Sequence, residues 1–297
     1  MKRKDLIQFI TAKQQLDSVP CGFWRHFPEE AWYGQAAVDA HIRYYEETGI
    51  PIVKMMNEHF YRLENKMDST GDWLKIRAEN IEDSHYKDFL GELREFRRRT
   101  GEEAFILATI HGVLVSACHA TDGPGHFTDA DNTVTRHLKE APETVSAGLK
   151  EIAITLERLS LACIEAGADG IYYAALGGET HRFSPELFTK YVKPLETELL
   201  GNVAQKGVVF LHICKDSPNL PLYAGYPGHV VNWAEHMGSY SLSDGAAIFP
   251  DKIIMGGFDN NSGVLFNGTE DDILAQMGGT LKQVERERLI FGADCTL

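Results

Sequence analysis

The sequence is short of positive charge, of cysteine and of long apolar runs, and each shortage removes a class of protein. With 29 basic against 43 acidic residues the net charge is −14, which disfavours a surface built for nucleic acid or an anionic membrane. The basic run Arg97-Arg98-Arg99 reads as a solvated helix end, where cations suit the dipole. Five scattered cysteines without a pairing pattern exclude a disulfide framework and fit a reducing, cytoplasmic setting. No apolar stretch approaches the length needed to span a bilayer. The opening residues Met1-Lys2-Arg3-Lys4-Asp5 lead into an amphipathic helix rather than the apolar core of a signal peptide. No linker interrupts the chain, and 297 residues at 43% hydrophobic content can bury a sizeable core. A single domain over residues 1–297 is therefore expected.

What the chain does have is alternation. Strand patterns fall at 19–24, 51–56, 104–110, 169–174, 208–214, 230–233, 252–258 and 289–292. Helical patterns lie between them at 30–48, 82–100, 141–166, 184–205 and 269–286, with a further one at 4–13. Gly49 and Gly167 mark helix ends, and Ser184-Pro185 and Thr269 mark helix starts. The stretch 61–80 reads as an irregular excursion. The stretch 117–133, rich in Gly, Asp, His and Thr, reads as a long loop of the kind that carries function. Eight strands with intervening helices give an α/β protein, a (β/α)8 TIM barrel, with a doubly wound open sheet as the alternative. Arg25, Glu58, His111, Glu179, His212, Cys214, Asp259 and Cys295 all follow strands, as a barrel mouth requires.

Two of those strands end in metal-capable side chains. His212 and Cys214 sit two apart, so a regular strand turns both to one side. Cys295, at the end of the last strand, would complete a set of one imidazole and two thiolates, which suits a tetrahedral zinc with one position open. A buried histidine beside two buried thiols is the plainer alternative.

The chain also resembles the uroporphyrinogen decarboxylase (URO-D) superfamily, which includes zinc-dependent, corrinoid-linked methyltransferases. The resemblance covers nearly all of it. It is carried by residues 19–27, Gly167-Ala168-Asp169-Gly170-Ile171, Ser184-Pro185-Glu186-Leu187-Phe188 through Lys193-Pro194, His212-Ile213-Cys214 and Phe291-Gly292-Ala293-Asp294-Cys295. It implies a barrel, a homodimer and a site in the mouth. His212, Cys214 and Cys295 match the zinc set of the methyltransferase branch, which moves a methyl group between a corrinoid (cobalamin) protein and a thiol or other small acceptor. The decarboxylase branch of porphyrin metabolism would need an arginine-rich N-terminal segment and an aspartate after the second strand; here stand Arg25-His26 and Asn57-Glu58. A non-catalytic tetrapyrrole-binding relative is a third possibility.

On this resemblance Glu58 and Asp259 are catalytic candidates, Asp259 through the free ring nitrogen of His212. Arg25, His26, Asn57, His111 and Glu179 are substrate-binding candidates, and His119 joins His111 as a hydrogen-bonding candidate. Glu179 and Arg182 are also placed to pair with each other, and Cys118 and Cys163 read as structural. Family members continue past the eighth strand into a final helix, whereas this chain stops at Leu297. That last helix is expected to be missing, with the seam covered by something else and the last strand liable to fray.

Overall fold

Alternation of side chains between the two faces of each strand sets the architecture. The computed structural model describes residues 1–214 and 217–297. Its strands are β1 (Cys21–Gly22), β2 (Ile52–Met55), β3 (Phe105–His111), β4 (Gly170–Ala175), β5 (Val208–Ile213), β6 (Val230–Trp233), β7 (Ile253–Phe258) and β8 (Leu289–Ala293). All pairings are parallel and follow chain order from β2 to β8, and β8 then pairs with β1. β1 lies beside β2 without a ladder between them. This is the expected (β/α)8 barrel, nearly closed, and its strand order rules out the doubly wound sheet.

Helices cover the outside: α1 (Arg3–Ala12), α2 (Gly34–Thr48), α3 (Tyr86–Thr100), α4 (Val113–Asp122), α5 (Thr133–Glu140), α6 (Pro142–Glu165), α7 (Pro185–Tyr191), α8 (Lys193–Ala204), α9 (Leu242–Ile248), α10 (Val264–Asn267) and α11 (Glu270–Thr280). Ser184 and Thr269 cap α7 and α11 as their sequence positions suggest, each side chain accepting from a first-turn backbone N–H. Among the described residues, no helix is long and apolar enough to cross a membrane.

Two apolar layers result. Val209, Leu211 and Ile213 of β5 face outward to the helices, while Val208 and Phe210 face the barrel interior with Phe105, Leu107, Tyr172 and Ile290. Leu6, Phe9 and Ile10 of α1 pack against that inner layer and plug the N-terminal end of the barrel. The same alternation carries His212 inward behind Val208 and Phe210.

Asp169 fastens this plugged end. Its carboxylate accepts from Arg3 Nε (2.6 Å), Arg97 Nη2 (2.8 Å) and the Ile106 N–H (2.8 Å), joining α1, α3, β3 and β4.

Five local expectations need correction. The segment 117–133 is not one long loop, because α4 starts directly after β3 at Val113 and runs to Asp122. The 61–80 excursion contains a 3-10 helix, Thr70–Lys75, whose Trp73 is buried. The helix expected over 184–205 breaks at Val192, just ahead of Pro194, whose ring cannot continue the preceding hydrogen-bond pattern. The first strand shrinks to Cys21–Gly22; Pro20 has no N–H to give and contributes only its carbonyl, to the Phe291 N–H. Residues beyond β8 are tied down rather than frayed, since the Leu297 N–H donates to Trp24 O (2.9 Å) and Asn260 Nδ2 to Thr296 O (3.0 Å).

Candidate active site in the barrel mouth

The C-terminal ends of β5 and β8 bring His212, Cys214 and Cys295 together. One ligand atom from each lies within 4.8 Å of the others, and His212 Nε2 is 3.5 Å from Cys295 Sγ. Cys295 sits two residues beyond β8, where the chain has turned across the mouth.

Asn232 sets the histidine. Its Nδ2 donates to the Met255 and Ala293 carbonyls (3.0 and 3.1 Å), which fixes the amide so that Oδ1 must be the acceptor. That oxygen receives Tyr172 Oη–H (2.9 Å) and His212 Nδ1–H (2.6 Å). The proton is therefore on Nδ1, and Nε2 keeps its lone pair toward the sulfurs. Tyr172 also stacks on the His212 ring, with centroids 5.2 Å apart. The orienting role expected of Asp259 belongs to Asn232: the Asp259 carboxylate instead accepts from the Asn261 N–H and the Ser262 hydroxyl.

The hydrogen bond with Cys214 holds the Cys295 thiol well below its ordinary range, helped by His212 and Lys54 against the opposing effect of burial. Lys54, 5% exposed, points inward from β2 and rides over the Trp24 and Tyr172 rings (5.2 and 4.6 Å to the centroids). Burial pulls its ammonium down to about 8, although Cys295, Glu58 and Cys214 pull it up.

The trio opens on a cavity of about 220 Å³ whose lining includes His26, Lys54, Glu58, Phe60, His111, His119, Phe127 and Tyr172. Larger clefts of about 520 and 670 Å³ lie over the 61–84 segment and beside the start of α2. Both are lined by residues remote from the strand ends that carry the trio.

The candidates divide. Glu58 lines the cavity and lies 3.1 Å from His26 Nδ1, and His111 lines it as well. Asn57 is spent as a brace, donating to Thr109 O and accepting the His59 N–H. Glu179 does not line the cavity; it accepts from the Gly177 N–H and from Arg182, which also reaches the Phe127 and Asp129 carbonyls. Arg25 is exposed and likewise outside the cavity lining.

Lys54, Tyr172 and Asn232 were not singled out from the sequence. Their signal was available: each is a polar or hydroxylated residue on an inward position of a strand whose neighbours are apolar. Beside the trio, His236 donates to buried Asp294 through both its N–H and Nδ1 (2.8 and 3.0 Å), a cluster that anchors the residue preceding Cys295. The hydrogen bond with Asp294 pushes His236 up.

A family profile described as uroporphyrinogen decarboxylase (URO-D) matches residues 46–297. The chain belongs to the uroporphyrinogen decarboxylase family. No curated protein matches the sequence. Among solved structures, this URO-D chain is similar to a methyltransferase from Methanosarcina mazei, with a TM-score of 0.76 at 15% identity over 99% of this chain and 93% of that one. It is also similar to a putative vitamin-B12-independent methionine synthase from Listeria monocytogenes, at TM-score 0.55 and 14% identity, covering 94% and 90% of the two chains. A B12-independent methionine synthase from Shewanella sp. W3-18-1 matches at 0.54 and 15%, covering 94% and 88%. At these identities the likeness is one of fold.

Proposed function

We propose that this URO-D chain is a methyltransferase that holds one zinc ion on His212, Cys214 and Cys295 and moves a methyl group between a corrinoid protein and a thiol or other small acceptor. The observation that carries the reading is the convergence of one imidazole nitrogen and two sulfurs within 4.8 Å, at the mouth of a barrel. That donor set is soft and leaves a position open, which suits a catalytic zinc. The methyl chemistry in the names of the fold relatives supports the transferase part. Two of them are B12-independent by name, so the corrinoid carrier is the part most in need of its own test.

When bound, zinc supplies Lewis acidity that favours a sulfur ligand as thiolate at neutral pH. The protein's own contribution is order. Asn232 fixes the His212 tautomer and ring plane, and Tyr172 backs the ring. Lys54 places positive charge beside the sulfurs, and among the described residues no carboxylate is in salt-bridge contact with it, so that its charge offsets the negative charge gathered there. Displacement at a methyl group needs alignment more than proton transfer, and a small, largely buried cavity provides it. A tetrapyrrole decarboxylase would need cations for its substrate's carboxylates. Among the described residues lining the cavity Lys54 is the one lysine, and no arginine joins it.

Metal analysis of protein purified without added zinc is the test. About one equivalent is expected, with loss in Cys214→Ser and in Cys295→Ser. Methylcobalamin and a simple thiol should then give a methyl thioether only with the zinc-loaded protein. Zinc-free protein that still turns over uroporphyrinogen would overturn the reading.

A further inference from the structure

We infer that Glu58 is the proton acceptor of the cavity and His26 its outlet to solvent, so that the pair carries the proton of an incoming thiol out of the barrel mouth. The inference rests on the methyl-transfer reading above with a thiol as acceptor. Its basis is a short path from inside to outside. Both residues line the cavity, Glu58 Oε1 lies 3.1 Å from His26 Nδ1, and the two side chains differ sharply in exposure, 6% for Glu58 against 61% for His26. Tyr33 Oη–H donates to the Glu58 carbonyl oxygen (3.0 Å), which pins the main chain and leaves the carboxylate to His26. Among the described residues, His26 is the one basic side chain within ion-pair distance of that carboxylate. An ion pair with so exposed a partner adds little to stability, so stability does not account for a carboxylate in the cavity wall.

The other titratable groups on the lining are engaged or unsuited. His212 turns Nε2 toward the sulfurs and gives its Nδ1 proton to Asn232. Tyr172 donates to the same amide, and burial holds its hydroxyl protonated. Burial pulls His119 down to about 4 and His111 well below its ordinary range, so neither takes up an extra proton near neutral pH. Lys54, drawn down to about 8, is mainly an ammonium there and has no lone pair to offer. Around Glu58 itself stand Lys54, His26, and the imidazoles of His41 on α2 and His119 on α4, the last two kept neutral by burial. Of these, His26 alone reaches bulk water.

The protons balance. A thiol R–SH that becomes a thiolate beside Cys214 and Cys295 leaves one proton, and the Glu58 carboxylate takes it, directly or through water, to become a carboxyl. His26 accepts that proton at Nδ1, and its exposed ring gives one to solvent, which restores the carboxylate and the neutral imidazole. A cavity of about 220 Å³ keeps the trio and Glu58 within a short chain of waters.

Stopped-flow mixing of the zinc-loaded full chain with 2-mercaptoethanol, in weak buffer with a pH-indicator dye, follows the proton without any methyl donor. About one proton per chain is expected from the unaltered protein. Glu58→Gln and His26→Ala should slow its appearance by about a hundredfold, the low end of what a positioned acid–base group contributes, at unchanged zinc content. Added imidazole should restore the rate in His26→Ala and do nothing for Glu58→Gln, while Glu58→Asp should keep part of it. Unchanged rates in either variant, slowing in His26→Ala that imidazole does not repair, or no proton from the zinc-loaded unaltered chain overturns the relay. With its side chain at the surface, His26→Ala decides the matter even where Glu58→Gln fails to fold. Zinc content of the same samples keeps the two readings apart: a chain that holds zinc and releases the proton equally fast in every variant loses the relay alone, and a chain that holds no zinc and releases no proton loses both.

Discussion

Asn232 decides whether the imidazole and the two sulfurs can act together, because its amide is locked by two backbone carbonyls and in turn locks His212. Losing such an outer partner typically costs 10–100-fold in metal affinity. Asn232→Ala should therefore weaken zinc binding by about that factor in competition with a chromophoric chelator; an unchanged affinity would remove the orienting role. Glu196 carries a separate prediction. It is fully buried under the Tyr173 and Tyr226 hydroxyls, and burial pushes its carboxyl up to about 7. A carboxyl raised on folding favours the folded state fully below its unfolded value and loses that favour as pH climbs through about 7. The stability of Glu196→Gln relative to the unaltered protein should thus improve by about 3 kcal/mol between pH 4.5 and pH 8, measured by urea unfolding. His212 and Cys214 were legible because period two is a rule of every strand. Asn232 was legible only in part: within Val230-Val231-Asn232-Trp233 its inward place could be read, but not which groups stand opposite it in the closed barrel.

At the scale of elements, the strands and most helices could be found from hydrophobic period and caps. The α4 helix could not, because Gly112 before it and the Asp122-Gly123-Pro124-Gly125 turn after it frame its ten residues like a loop. That misreading left the candidate His119 on a loop, whereas the helix carries it to the cavity. Capping is testable directly. Thr269 accepts the Asp272 N–H while Asp272 accepts the Thr269 N–H, a reciprocal box at the start of α11. Thr269→Ala should lower the unfolding free energy by about 1 kcal/mol. Gly170 tells of tighter constraint, since a Cβ there would stand 1.9 Å from the Val208 carbonyl oxygen of the paired strand. Gly170→Ala should cost about 3 kcal/mol or prevent folding, seen as a shifted denaturation midpoint or as loss of the folded state; neither change would mean that β4 and β5 separate freely.

For the whole molecule, closure depends on contacts that no local pattern announces. The seam is made by a two-residue β1 on one side of β8 and by the Leu297 N–H reaching Trp24. Asp169, with its side chain 2% exposed, gathers two arginines and a strand amide at the opposite end. Its position in Gly167-Ala168-Asp169-Gly170 was noticed only as a strand entry. Asp169→Ala removes the shared acceptor of the half-buried Arg3 and Arg97 and of the buried Ile106 N–H and should cost about 1–3 kcal/mol. Zinc stoichiometry in the folded fraction should stay as before, and a drop there would mean that the two ends of the barrel are coupled. The distance between that clasp and the sulfurs has a practical corollary. Libraries that randomise the upper rim should return many well-expressed proteins with altered chemistry, whereas changes around the clasp should show first as poor yield and leave specific activity per folded molecule intact.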